Sequence, residues 1–270
     1  MTATAARCTT GRVEVAVVVG GRWHDIDFAR RELLALLGEH DAVRATVHAD
    51  FSDTARLGSV DAVIAYTCDV RPTSAEASTM TSMVRDGGRL LALHATNSAI
   101  DPPGPGGPRV FRTPDAMPGF TALLGNRFLA HPKIAEFLIE PVDPDHPLVL
   151  DVGSFTTTDE IYVSALADDL EVLMDVAYTG ACPGFDTDHV DDPVRHPVLF
   201  TRPEGDGRVT YFTLGHCRGR FDVADLGVED LGVVDRVAWD SPEYREILRR
   251  CIGWAVHADH WQDCPVMEEA

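Results

Sequence analysis

Five residues stand where an apolar run gives way to small or polar residues: His24, His94, His131, Glu160 and His216. In residues 87–97 (GGRLLALHATN) a buried-type strand over 89–93 stops at His94. A side chain at the carboxyl end of a parallel strand has its backbone fixed by the sheet and its ring free to meet a ligand. His24 follows the run 13–19 (VEVAVVV) across Gly20-Gly21, and His131 closes 128–132 (FLAHP). Glu160 lies near the end of 154–162 (SFTTTDEIY), and His216 ends 208–216 (RVTYFTLGH). Imidazoles and a carboxylate brought to one rim suit two tasks. They can hold a divalent metal such as Zn, Mn, Fe or Ni, with positions left for substrate oxygens. They can also serve as general acid and base, because imidazole titrates near neutral pH. On this reading His94, Glu160 and His24 are catalytic, while His131, His216 and Glu160 are the metal ligands. Trp23, Asn97 and Tyr162 are the substrate-binding candidates, the two rings offering faces to a sugar where ordinary packing is the alternative. Asp25 and Asp159 stand behind them. A strand-end histidine that merely hydrogen-bonds backbone is the competing account for each imidazole.

The elements that would deliver these residues alternate in type. Residues 13–19 form a continuous apolar run, as a central parallel strand covered on both faces requires. Asp25 or Asp27 can cap a helix over 28–37 whose buried stripe is Leu33, Leu34, Leu36 and Leu37. Strands are expected at 42–48, 61–66 and 88–93, with a helix from Pro72-Thr73 to about Arg85 stopped by Gly87-Gly88. This order predicts an open, doubly wound, mostly parallel α/β sheet. Downstream, a short helix at 120–124 precedes strands at 134–139 and 170–176 and an irregular acidic loop over 181–195. Residues 196–202 and 208–214 flank a Gly-rich turn and predict a hairpin that extends the sheet. Ser241 caps a last helix over 242–257. The Pro- and Gly-rich stretch 101–118 leaves directly from the His94 turn and is expected to be a mobile cover.

Composition narrows the partners. The formal net charge of −20 would repel a phosphate backbone or an anionic bilayer, so neither nucleic acid nor membrane is an expected partner. No run approaches the ~20 apolar residues of a membrane span. The first residues lack a charged start followed by an apolar run. The six cysteines (8, 68, 182, 217, 251 and 264) form no CxxC pair. Reduced thiols in a cytoplasmic protein follow. Glycines after the first strand do not complete G-x-G-x-x-G, so no nucleotide cofactor is expected. A small-molecule ligand is expected instead, and homo-oligomerisation stays open. One domain over 13–258, with tails at 1–12 and 259–270, accounts for the chain.

Six short motifs occur in order: 17–25 (VVVGGRWHD), 87–96 (GGRLLALHAT), 124–132 (LGNRFLAHP), 143–147 (DPDHP), 157–162 (TTDEIY) and 207–216 (GRVTYFTLGH). Together they resemble the ThuA-like family, named for trehalose utilisation. The resemblance covers roughly 13–257. It implies a class I glutamine amidotransferase-like, flavodoxin-like fold and a role with sugars, including keto-sugar derivatives of disaccharides. Amidotransferases place a nucleophilic Cys at a sharp strand-to-helix turn; here the turn is Ala92-Leu93-His94-Ala95-Thr96, so His94 stands in its place. Thiolate chemistry cannot run from that position. The expected function is a carbohydrate-processing lyase, hydrolase or isomerase using His/Glu acid–base chemistry with metal assistance. The alternatives are a non-catalytic sugar-binding protein and a cysteine-dependent amidase using Cys68.

Overall fold

Nine strands share one sheet, and its register decides where the histidines arrive. The computed structural model describes residues 11–104 and 109–257. The strands in chain order are β1 Val13–Gly21, β2 Val43–His48, β3 Ala62–Cys68, β4 Arg89–Leu93, β5 Asn126–Ala130, β6 Ala135–Pro141, β7 Phe155–Asp159, β8 Val163–Leu166, β9 Glu171–Ala181, β10 His189–Glu204 and β11 Gly207–Phe212. The helices are α1 Ile26–Leu37, α2 Thr54–Leu57, α3 Ser74–Arg85, α4 Pro118–Leu124 and α5 Pro242–Val256. The main sheet runs β2-β1-β3-β4-β11-β10-β9-β6-β7, and β5 pairs with β8 separately. The first five strands of that order are mutually parallel. This is the flavodoxin-like order, with the crossing point between β1 and β3. The remaining four add on antiparallel.

The two faces of the sheet are read off β1. Val15, Val17 and Val19 point into the core shared with α1 and α5; Ala16 and Val18 point into the core shared with α2, α3 and α4. Alternate side chains of a strand face opposite sides, so a strand apolar at every position must be covered twice. Asp25 caps α1 by accepting the Phe28 N–H. Thr73 and Glu76 form a reciprocal capping box on α3, and Ser241 accepts from Tyr244 at the start of α5. The stripe of α1 is buried at Phe28, Ala29, Leu33 and Leu37, while Leu34 and Leu36 are half-buried against it.

Two local expectations need correction. Residues 181–195 are not an irregular loop throughout: β10 starts at His189 and pairs antiparallel with β9. Its register shifts between Val190 and Val194, and again near Pro197 and Leu199. Exposed Asp191 and Asp192 on this irregular stretch hide the strand's alternation. The short helix α2 was not foreseen either; Asp53 caps it and Gly58 ends it within one turn. Of the stretch expected to be a cover, residues 105–108 lie outside the described residues, as do most of the two expected tails. Its flanks are anchored. Asp101 bridges Arg112, Phe111 pairs alongside Phe185, and Met117 is buried.

Among the described residues no helix is long and apolar enough to cross a membrane.

Candidate active site

The carboxyl ends of β1, β4, β7 and β11 meet under a small apolar roof. That roof is Trp23, Phe128, Tyr162, Val163, Phe185 and Val223. His94 is the first residue after β4 and opens a single 3-10 turn, His94–Asn97. Its φ of 44° is left-handed, a conformation costly for a non-glycine residue and typical of functional turns. Tyr211 donates to the His94 carbonyl at 2.6 Å, and the Asn97 N–H donates to Tyr211 at 2.9 Å, so the turn is clamped from below. The result is a sharp, clamped strand-to-helix turn with an imidazole at its tip.

His24 comes from the turn after β1, where Trp23 also has a left-handed φ of 66°. His216 follows β11 across Gly215. This turn is held by Asp159, whose carboxylate accepts from Gly215 N at 2.7 Å, His216 N at 3.1 Å and Glu160 N at 2.6 Å. The Gly215 carbonyl accepts from Tyr66 and from Trp239, each at 2.8 Å. Asp159 thus fixes both Glu160 and His216 through their backbones. Burial pushes its carboxyl up to about 7, against the pull of His216 and of the N–H groups of Gly215 and Glu160.

One ligand atom each from His24, His94, Glu160 and His216 lies within 4.8 Å of the other three. His94 Nδ1 donates to the Thr213 carbonyl at 2.9 Å, and His24 Nδ1 to the Arg22 carbonyl at 3.3 Å. Each ring's Nε2 then carries a lone pair when neutral, and these two nitrogens face each other at 2.9 Å. Burial drives His94 down to about 3 and His24 well below its ordinary value, so neither ring takes a proton near neutrality. The Tyr162 hydroxyl, 3.1 Å from His94 Nε2, can donate to only one of the facing lone pairs. His216 Nδ1 is 3.2 Å from Glu160 Oε2 without hydrogen-bond geometry. Neither ring nitrogen of this fully buried residue has a hydrogen-bond partner among the described residues. Burial works to raise the Glu160 carboxyl, but the facing imidazoles of His131, His216 and His94 outweigh it and hold it well below the usual range. A buried carboxylate beside His24 and His94, whose rings burial keeps unprotonated, is a setting that suits a cation.

His131 lies apart from the four. Its Nδ1 donates to the Pro132 carbonyl at 2.7 Å, and its Nε2 stands 3.8 Å from Glu160 Oε1. Trp23 and Tyr162 are both nearly buried. Trp23 packs edge-on to Phe111 and donates to Asp225, while Tyr162 stacks near His131. Asn97 is fully buried, and its amide has no hydrogen-bond partner among the described residues. Asp25 caps α1 and pairs with Arg236 at 2.7 Å, away from the imidazoles. Cys68 is buried at the end of β3 with its thiol pushed up to about 12 by burial. Among the described residues its hydrogen-bond partner is the Ser98 hydroxyl, which donates at 3.8 Å, and no imidazole is paired with it. That setting keeps it a thiol, so an amidase acting through Cys68 has no activated nucleophile.

Arg218 was missed in the sequence. It sits two residues beyond His216 in a stretch without periodicity. Its Nε donates to the Trp23 carbonyl at 2.9 Å, and a terminal nitrogen lies 3.8 Å from Glu160 Oε1. The local signal was only its closeness to His216.

An open flavodoxin-like sheet with three buried imidazoles and a buried carboxylate gathered beyond its strand ends defines the class: an α/β protein with a His/Glu cluster at the strand ends. The family model described as trehalose utilisation, ThuA, matches residues 14–226. The chain belongs to the ThuA family. A ThuA-like protein from Bacteroides uniformis is 18% identical, with 93% of this chain and 95% of that chain covered and a TM-score of 0.61. One from Parabacteroides merdae is 14% identical, covering 96% and 93%, with a TM-score of 0.65. A cold-adapted β-galactosidase from Rahnella sp. R3 is 13% identical over 76% of this chain and 29% of its own, with a TM-score of 0.50. At these identities the likeness shows the fold. No curated protein sequence matches the chain.

Proposed function

We propose that this protein is an enzyme that acts on a sugar or keto-sugar derivative, with a divalent metal held by His24, His94, His216 and Glu160. The observation that carries the reading is the quartet itself. Two neutral imidazoles point lone pairs at one another, a third has no hydrogen-bond partner among the described residues, and all surround a buried carboxylate. A cation relieves each of these at once, and three imidazoles with one carboxylate suit Zn, Mn, Fe or Ni. The geometry favours a different division of labour from the one expected. His24 and His94 lie with the ligands, and His131 lies outside them on the other oxygen of Glu160.

Such an ion, when bound, would supply a Lewis acid for a substrate carbonyl. The chain's own groups do the rest. The neutral form of His131 carries its lone pair on Nε2, because its Nδ1–H is committed to the Pro132 carbonyl. It takes the proton next to the carbonyl as general base. Tyr162 holds the His94 ring, and Phe128 and Phe185 pack against the His131 ring. Return of the proton on the other face gives an isomer. Breakage of the bond from the neighbouring carbon to the glycosidic oxygen, which leaves with the electron pair and takes the proton held by His131, gives elimination.

The test is proton exchange. Metal-loaded protein is incubated in D2O with disaccharides oxidised to the ketone in one ring, and the signal of the proton beside the carbonyl is followed by NMR. Deuterium exchange or bond cleavage, lost in His131→Ala, is expected. A metal-loaded protein that exchanges nothing across the set is no enzyme of this kind.

A further inference from the structure

Glu160 divides the site into two halves of different character. Its Oε2 faces His94 and His216, whose side chains are 0% exposed. Its Oε1 faces His131 and Arg218, 24% and 23% exposed. The inner half is dry and rich in ligands; the outer half opens to solvent. A substrate must approach from the outer half.

Arg218 is fixed at that entrance. The left-handed Trp23 turn aims its carbonyl at Arg218 Nε, and the Arg218 backbone pairs with Asp235 in both directions, at 3.0 and 2.8 Å. The guanidinium is thus held by its inner nitrogen, while its terminal nitrogens make no hydrogen bond within the described residues. Other arginines around the site are matched to carboxylates. Arg22 and Arg71 pair with Asp69, Arg236 with Asp25, and Arg220 with Asp230. In a chain of net charge −20, an arginine next to the candidate site whose terminal nitrogens hydrogen-bond no carboxylate is a feature in need of a reason.

Among the described residues, the carboxylate oxygen within ion-pair range of its tip is Glu160 Oε1, at 3.8 Å, beyond hydrogen-bond reach. The inference rests on the proposed metal site: once the charge of Glu160 is committed to a cation, Arg218 is left in surplus. A planar guanidinium with free terminal N–H groups matches a carboxylate in a two-bond fork. We infer that Arg218 is the specificity-determining residue of the outer half, and that the carbohydrate bound here carries a carboxylate: a sugar acid rather than a neutral sugar. His131, on the same oxygen of Glu160, would then meet the carbon next to that acidic group.

Calorimetric titration of metal-loaded protein decides it, with D-gluconate and D-glucuronate as probes against their neutral counterparts D-sorbitol and D-glucose. At least one acid should bind about tenfold to a hundredfold more tightly than its counterpart, the range for a charge-assisted pair. Arg218→Gln should remove the preference, Arg218→Lys should keep part of it, and both should retain metal and melting temperature. Acids and neutral sugars binding alike to protein with one metal per chain would overturn this inference and leave the metal site standing. Loss of metal from Arg218→Gln would make Arg218 a support of Glu160 instead, and would also overturn it. Protein that takes up no metal overturns both readings.

Discussion

His94 and His24 show how burial fits an ordinary residue for the ligand role proposed here. Each donates Nδ1–H to a backbone carbonyl, and burial keeps each neutral. Their folded-state values lie below the unfolded ~6.5, so on acidification the unfolded chain takes protons that the folded chain refuses. The stability this represents is present above about pH 6.5 and is lost as pH falls towards the His94 value of about 3. Asp159 runs the other way. Held up to about 7, it keeps a proton that the unfolded chain releases near 3.9, and its contribution is lost as pH rises through 7. Two imidazoles outweigh one carboxyl. The melting temperature of metal-free protein should therefore fall from pH 6.5 to 5, and His94→Gln should make the fall shallower. A flat profile would mean that the rings are already protonated in the fold.

Asp159 supplies a second prediction at this scale. An asparagine in its place would point an NH2 at a backbone N–H of Gly215, Glu160 or His216. Asp159→Asn should cost about 2 kcal/mol in urea unfolding and weaken metal binding by roughly tenfold to a hundredfold. The positions of His24, His94, Glu160 and His216 were legible in the sequence because each follows a strand-like run. Which imidazole joins which half was not legible. That depends on the carbonyls of Thr213, Arg22 and Pro132 that fix each ring, and these contacts are set by tertiary packing. Arg218 was invisible for the same reason: its partner, the Trp23 carbonyl, lies 195 residues away.

At the scale of elements, the turns at strand ends carry the site, and they tolerate little change. Gly21 ends β1 with a φ of 103°, and a Cβ there would sit 1.9 Å from the Cys68 carbonyl oxygen. Gly21→Ala must separate β1 from β3 beneath His24. A loss of roughly 2–4 kcal/mol in urea unfolding is expected; a loss below about 0.5 kcal/mol would show that the turn can relax. By contrast Ser241→Ala removes only the cap of α5, at about 1 kcal/mol, with metal binding unchanged. The parallel half of the sheet was readable because β1, β3 and β4 are apolar at nearly every position, the mark of strands covered on both faces. The antiparallel half was less so. The start of β10 is exposed, acidic and shifted in register, so neither alternation nor an apolar run announces it.

Across the whole molecule, the net charge of −20 opposes compaction by self-repulsion. Salt should screen that repulsion, so the urea midpoint should rise between about 0.02 and 0.5 M NaCl, where the Debye length shrinks well below ~10 Å. A falling midpoint would mean that the surface ion pairs outweigh the repulsion. The same acidity gives the cationic entrance at Arg218 its contrast with the rest of the surface.

The central claim concerns the quartet, and elemental analysis of protein purified without a histidine tag tests it most directly. About one divalent transition metal per chain is predicted. It should be lost from His216→Ala and Glu160→Gln while their far-UV circular dichroism is unchanged. Protein that holds no stoichiometric metal after exposure to Zn, Mn, Fe and Ni, or that holds it equally well without His216 and Glu160, would contradict the account.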